Sequence, residues 1–420
     1  MGEELTSTMT AADPTARADP AVKRLMASIP FATAAPQLGF AVSGYFLALQ
    51  VQAVDADAKV TNLALVQAGG AAVAMIAQPL IGVLSDRTRT RAGGRSPWIL
   101  LGALIGAVGL ITAGQSHTIA LLTVAAMIIQ FGFNTLAGPL SAILPDRIPT
   151  DVRGRYSTLS GLGSIASAML GPVVASLFAD RIPAGYLGAA GLITAIVVAF
   201  LAVNPEPDNR AVPRPGFSVR DFLSAFWVDP RRHPDFGWAF LGRLFIFGGY
   251  FMVLTYQLYL AQGFIGLSKS EAAHVVPLVG VIGLPGFLVA IAVAGPYSDR
   301  IGRRKPLVLV GGLIVAASTL IPLAVPTMAG LLASGAVTTV GFGIFTAVDI
   351  ALVSEVLPGR DDFAKDLGIL NIAATLPGVL APAIAAAVVQ LSDSYGAVYL
   401  TAALVSALGA LAVLPIKSVR

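Results

Sequence analysis

The 420-residue chain is 56% hydrophobic and only 12% charged, with a mean hydropathy of +0.79. Soluble domains are about a quarter charged, so an ordinary soluble fold is excluded, and a net charge of +4 is no argument for nucleic acid. With no cysteine there are no disulfides, no thiolate chemistry and no Cys-ligated metal.

Residues 1–24 are polar and carry no cleavable signal, so the first apolar run is expected to persist as a helix. Twelve apolar runs follow, at 27–51, 61–84, 97–115, 118–142, 157–179, 186–203, 237–261, 271–297, 306–325, 328–352, 367–390 and 396–415. A helix needs about 20 such residues to cross about 30 Å of hydrocarbon. The expected fold is an all-α membrane protein with twelve transmembrane helices in two six-helix bundles. These are residues 1–203, with a short tail, and 237–420, joined by a linker at 204–236. The linker holds the breakers Asn204-Pro205-Glu206-Pro207 and Pro213-Arg214-Pro215-Gly216. Phe222, Leu223, Phe226 and Trp227 fit a short helix on the membrane surface, or equally an ordinary linker.

All but four of the 27 Lys and Arg residues fall in the two termini and in the loops after the even-numbered helices. The exceptions are Lys59, Arg181 and Lys269 in the other loops, and Arg243 within a helix. The positive-inside rule then places both termini in the cytoplasm, in a multi-pass plasma-membrane protein.

The two halves repeat each other. Gly82-Val83-Leu84-Ser85-Asp86-Arg87 recurs as Gly295-Pro296-Tyr297-Ser298-Asp299-Arg300, and Leu144-Pro145 recurs at the same offset as Leu357-Pro358. Duplicated bundles of apolar helices usually move solutes. The second copy continues as Ile301-Gly302-Arg303-Arg304-Lys305. Twelve spans with a Gly-x-x-x-Asp-Arg loop after the second helix of each half resemble the major facilitator superfamily. The first copy departs from that signature: Arg89 stands where the second copy has Gly302, within Asp86-Arg87-Thr88-Arg89-Thr90-Arg91-Ala92-Gly93-Gly94-Arg95-Ser96-Pro97-Trp98. This form resembles the glycoside–pentoside–hexuronide:cation symporter branch and its sucrose–proton symporter relatives, as do Gln37-Leu38-Gly39-Phe40 and Gln78-Pro79. Melibiose-type sodium symporters carry helix 2 carboxylates in a W-D-A-x-x-D-P pattern. Here that segment reads Ala74-Met75-Ile76-Ala77-Gln78-Pro79 and lacks them. The resemblance therefore implies protons as the coupling ion, and no cofactor.

Small residues at Gly82 and Gly295 allow a neighbouring helix to approach closely. An aspartate there can face the N-terminus of a helix in the other half, whose dipole favours an anion. By pseudo-symmetry Asp86 is expected to face Lys365-Asp366-Leu367-Gly368, and Asp299 to face Arg153-Gly154-Arg155. The expected gate comprises these glycines and aspartates with Arg87, Arg89, Arg91, Arg300, Arg303 and Arg304, unless the arginines only enforce topology.

Charges within spans cost about 2.5–3.5 kcal/mol on insertion scales and mark functional sites by default. Arg243 in helix 7 and Asp349 in helix 10 sit at matched depth, about 5–10 Å from the basic ends, where an ion pair can form. Such a pair can load and release a proton as it breaks; it can equally be structural, with Arg243 snorkelling to the interface. Arg243, Tyr250 and Gln257 recur every seven residues and are expected to line a cavity. Gln37, Tyr45 and Gln52 share a face of helix 1, and Gln67 and Gln78 a face of helix 2. Gln130, Asn134 and Gly138 follow each other in helix 4, as do Asn371, Thr375 and Gly378 in helix 11. Amides suit sugar hydroxyls and tyrosine rings pack on sugar faces; the alternative role of each is to bond one helix to another.

No metal-ligand spacing, phosphate loop or catalytic array occurs. An enzyme is not expected, and the tails are too short for a signalling domain. The sequence predicts a transporter of a small neutral polar solute, a sugar or glycoside, by proton symport and alternating access, working as a monomer in the lipid bilayer. The competing prediction is a proton-linked antiporter exporting a hydrophobic or antibiotic-like compound. It draws on Gly161-x-Gly163 and Gly171-Pro172 in helix 5, a partial echo of drug antiporters, and on Phe342 and Phe345.

Overall fold

A chain that crosses hydrocarbon must satisfy its backbone N–H and C=O groups internally, and helices do so within one segment. In the computed structural model of this chain the order is α1 (Pro20–Val54), α2 (Lys59–Arg87), α3 (Ser96–Gly114), α4 (Ile119–Arg147), α5 (Arg153–Ser176) and α6 (Ile182–Val203). The second half holds α7 (Pro234–Gly263), α8 (Lys269–Ile301), α9 (Lys305–Ser318), α10 (Met328–Val356), α11 (Phe363–Ser392) and α12 (Gly396–Leu411). The structure describes residues 19–213, 233–356 and 363–417; the side chains at 350, 354, 355 and 363–375 fall outside that description. So do the expected surface helix around Trp227, the Leu357-Pro358 repeat and the side chains at the start of α11. Among the described residues ten spans are long and apolar enough to cross a membrane, α9 counted with the turn that follows it, and two shorter apolar stretches, in α11 and α12, complete the expected twelve.

Local chemistry sets the helix ends. Asp19 caps α1, accepting from Ala21 N at 2.8 Å, with Pro20 at the first position. Ser268 and Glu271 form a reciprocal capping box on α8. α8 ends at Gly302, whose φ of 62° is left-handed and suits glycine. Arg89, at the equivalent place in the first half, lacks that freedom, and α2 stops at Arg87 with Thr88 extended. α9 was expected to run to 325. It breaks after Ser318 and resumes for one turn at Ile321–Ala324. Pro322 has no N–H for the Ser318 carbonyl, and Ser334 Oγ of α10 donates to that carbonyl at 2.7 Å instead.

α3 brings no capping side chain of its own. Glu206, from the segment after α6, accepts from Arg95 N at 2.9 Å and Ser96 N at 3.0 Å, placing a carboxylate at the positive end of α3. Its side chain fills the space a Cβ would take at Gly93, whose φ is 81°. Asn209 accepts from Thr90 N at 2.8 Å and donates to Thr88 O at 3.0 Å. Arg89 donates to Val212 O at 3.0 Å and Pro213 O at 2.9 Å. Residues 204–213 are therefore docked on the α2–α3 loop.

One apolar cluster, including Ile29, Phe46, Phe133 and Tyr186, fills the first half, and another, including Ile246, Phe345 and Val348, fills the basic end of the second. A third joins the halves. It packs Leu47, Val51, Leu63 and Val66 against Tyr256, Tyr259, Ala272 and Val398. These residues lie at the end opposite the basic loops. Tyrosine hydroxyls stitch the same seam: Tyr45 donates to Ala273 O at 2.6 Å, Tyr259 to Ala48 O at 2.8 Å, and Tyr256 to Val60 O at 2.9 Å. Gln52 Nε2 donates to Gln262 Oε1 at 2.6 Å.

Glu206→Ala removes the cap on two α3 amides. The expected cost is about 0.5–2 kcal/mol, read as a lower melting temperature, with faster hydrogen exchange at Arg95 and Ser96.

Candidate solute cavity and buried ion pair

A cavity of about 460 Å³ lies between the halves, beneath the seam. From the first half, α1 lines it with Phe40, Ala41, Gly44, Tyr45 and Ala48, α2 with Gln67, and α5 with Ile165, Ala168, Met169 and Pro172. The second half contributes Tyr250, Phe251 and Gln257 of α7, Phe287 of α8, Ser334, Thr338, Thr339 and Phe342 of α10, and Tyr399 of α12. Tyr250 and Phe342 stack with centroids 4.2 Å apart and planes 9° apart, forming an aromatic wall with Phe251 and Phe287. Among the described residues no Asp, Glu, Lys, Arg or His lines the cavity.

Several lining hydroxyls are already committed. Tyr45 serves the seam, Ser334 the Ser318 carbonyl, and Thr339 donates to Gly283 O at 3.1 Å. Gln67, Tyr250 and Gln257 make no side-chain hydrogen bond among the described residues. Pro172 has no N–H for the Ala168 carbonyl one turn earlier, so α5 presents an acceptor without its usual helical donor. A recess of about 80 Å³ adjoins the cavity and shares Phe40, Gly44 and Gln67 with it. Ser43 and Gln130 also line the recess, and Asn134 donates to Gln130 Oε1 at 3.1 Å, bracing that amide.

Of the expected cavity residues, the structure brings Tyr45, Gln67, Tyr250 and Gln257 to the cavity and Gln130 to the recess. Gln37, Gln78, Asn134 and Arg243 do not line either, and the Asn371 side chain falls outside the described residues. Phe40, Met169, Phe287 and the hydroxyls of α10 were missed, because within apolar runs they read as ordinary packing residues.

Arg243 and Asp349 meet within the second half. Arg243 Nη1 lies 3.3 Å from Asp349 Oδ2, with side chains 13% and 6% exposed. α7 and α10 run past the apolar spans, so Arg243 stands about 14 Å and Asp349 about 10 Å from the basic ends of their helices. The guanidinium also lies 5.6 Å from the Phe247 ring centre. Among the described residues Arg243 Nε has no hydrogen-bond partner.

At the basic end, ion pairs between described residues stay within each half. Arg95 bridges Asp86 and Asp146 in the first half, and Arg304 Nη1 lies 3.1 Å from Asp299 in the second. Burial of Arg95 opposes its charge, but Asp86 and Asp146 outweigh burial and raise its pKa above the usual arginine value. Arg153, expected near Asp299, instead donates to Ile148 O at 3.0 Å. Arg91, Arg300 and Arg303 are exposed. The close helix approach expected at Gly82 and Gly295 is not made: among the described residues nothing lies within 4 Å of where their Cβ atoms would stand. The tyrosine and glutamine bonds that join the halves lie at the opposite end.

The chain matches the family model described as Major Facilitator Superfamily over residues 31–293 and 286–419. It is 25% identical over 189 residues to a protein named inner membrane symporter YicJ from Escherichia coli (strain K12), a match covering 41% of this chain and 39% of that protein's length. Its fold is similar to solved structures. A structure titled nucleoside transporter NupG superposes with TM-score 0.72 at 14% identity, covering 96% of this chain and all of that one. A bacterial homolog to the human lysosomal transporter Spinster, titled inward-facing and unoccupied, superposes with TM-score 0.67 at 13% identity, covering 94% and 95%.

Removing one partner of a buried ion pair costs about 3–5 kcal/mol. Arg243→Met and Asp349→Leu should each destabilise the protein on that scale, and the double variant by clearly less than their sum. A thermal-denaturation double-mutant cycle in lipid nanodiscs measures this.

Proposed function

The chain belongs to the Major Facilitator Superfamily of membrane transporters, and on that premise we propose that it carries a small uncharged solute, a sugar or glycoside, by proton symport and alternating access. The observation that carries this reading is the uncharged cavity between the halves, lined by the Gln67 and Gln257 amides and by aromatic rings. The curated relative named as a symporter and the solved neighbour titled as a nucleoside transporter support symport and an uncharged, hydroxyl-bearing solute.

We assign the structure to the state that opens toward the basic face, which the distribution of Lys and Arg makes the cytoplasm. The seam closes the opposite end, and Asp86 and Asp299 are paired within their own halves. In the reversed state the seam parts, and the glycines at 82 and 295 let the basic ends close. Asp349, held by Arg243 in a low-dielectric site, is the proton carrier. The transporter works as a monomer, since the cavity is complete in one chain.

The aromatic wall favours a second reading, export of a hydrophobic compound by antiport. The two separate cleanly. Under symport, adding a transported glycoside to a lightly buffered cell suspension makes the medium more alkaline. Under antiport, a deletion strain becomes hypersensitive to hydrophobic drugs and no glycoside shifts the medium pH.

Asp349→Asn should abolish accumulation driven by a pH gradient and leave counterflow intact in reconstituted vesicles. Persistent accumulation removes Asp349 from the coupling role. In a chain with no native cysteine, the pair Gln52→Cys and Gln262→Cys should be bridged across the seam by a short bis-methanethiosulfonate reagent, which spans the gap that two shortened side chains leave, and transport should stop until the bridge is reduced.

A further inference from the structure

Phe247 of α7 stands between the cavity wall and the buried ion pair, and it does not itself line the cavity. Its ring meets Phe342 edge to face, with centroids 5.2 Å apart and planes at 84°, and meets Phe345 at 5.9 Å and 74°. Phe342 lines the cavity and stacks on Tyr250. On the other side, Arg243 sits one turn earlier on the same face of α7, its guanidinium carbon 5.6 Å from the Phe247 ring centre. One ring therefore contacts both the solute wall and the cation.

Arg243 is lightly held. Its Nη1 lies 3.3 Å from Asp349 Oδ2, while its Nε has no hydrogen-bond partner among the described residues. The Phe247 ring supplies a second hold, because its negative face attracts a cation, most strongly where water is excluded. The other charges on the helices packed against α10 stand apart. Asp235 lies two turns nearer the basic end of α7. At the basic end of α8, Asp299 pairs with Arg304, and Arg300 and Arg303 are exposed. Lys305 of α9 donates to the carbonyls of Leu414 and Ile416. Among the described residues Arg243 is the charge that pairs with Asp349.

We propose that Phe247 is the positioning residue that ties the proton affinity of Asp349 to occupancy of the cavity. This inference rests on the symport reading above, with Asp349 as the proton carrier. While the wall is packed, the ring holds the guanidinium against Asp349 and favours the carboxylate. A solute that displaces the Tyr250–Phe342 stack turns the Phe247 ring, loosens the guanidinium and lets Asp349 take up a proton. Solute and proton then favour each other's binding, and the effect is reciprocal. That is the sign symport requires; antiport requires the opposite.

The test uses the full chain in lipid nanodiscs, and its first arm needs no solute. The infrared carboxylic-acid band that disappears in Asp349→Asn reports protonation of that residue, and its pH midpoint is measured. Phe247→Leu, which keeps bulk without the ring, should raise the proton affinity at least about threefold, the scale of a modest cation–π contact. Replacing Phe247 with 3,5-difluorophenylalanine keeps the shape of the ring and weakens its negative face; it should move the midpoint in the same direction by less. In the second arm the 4-nitrophenyl glycosides of glucose, galactose and xylose are added at saturation. Whichever binds should raise the proton affinity of the parent protein and leave that of Phe247→Leu unchanged. A midpoint unmoved by Phe247→Leu, or moved by leucine and not by the fluorinated ring, overturns this inference and leaves the symport reading standing. So does a solute response that survives in Phe247→Leu. Failure of all three glycosides to bind a folded protein, or absence of the Asp349 band at every pH, overturns both.

Discussion

A proline-freed carbonyl holds the two halves together. Pro277 in α8 has no N–H, so the Ala273 carbonyl one turn earlier loses its helical donor. In an apolar surrounding an unpaired carbonyl is costly. Tyr45 of α1 supplies the missing hydrogen from the other half, at 2.6 Å. Tyr256 and Tyr259 make reciprocal reaches from α7 to carbonyls of the first half. Each bond is worth only about a kilocalorie net, so the seam is specific without being permanent. That balance suits the proposed alternating access, in which the interface both registers the halves and parts.

The cavity follows from the seam. Helices joined at one end enclose a chamber below the joint, and Tyr45 belongs to both. The buried ion pair sits in neither place. Arg243 and Asp349 lie within the second half, toward its basic end, and do not line the chamber. Under the proposed symport, coupling between solute and proton would have a short physical route. Tyr250 and Phe247 lie on the α7 segment just beyond Arg243, Tyr250 stacks on Phe342, and Phe342 and Asp349 share α10. A shift of the aromatic wall moves the helices that carry both charges.

Much of this was legible in the sequence. Apolar runs and basic loops give the twelve helices and their alternation, because hydrocarbon thickness and charge placement act on composition directly. The helix ends were less legible. Caps such as Asp19 and breaks such as Pro322 act through single hydrogen bonds that an apolar average does not register. At the site, Tyr45, Gln67, Tyr250 and Gln257 stood out as polar groups in apolar runs. Phe40 and Phe287 did not stand apart from lipid-facing or core aromatics, since burial against a solute and burial against a helix leave the same residue type. The expected contacts of Asp299 depended on which end of the molecule is joined, a property of the conformation.

The first copy of the repeat lacks the helix-ending glycine of the second, and the docked segment gives the reason. Arg89 replaces the helix-ending glycine of the second copy and grips Val212 and Pro213. Glu206 occupies the hollow at Gly93, and Asn209 pairs with the strand of loop beside it. The contacts of the first bundle thus continue past the end of α6 to Pro213. Ten residues of apparent slack are taken up against that bundle, which shortens the free connection between the two halves by up to about 35 Å of extended chain.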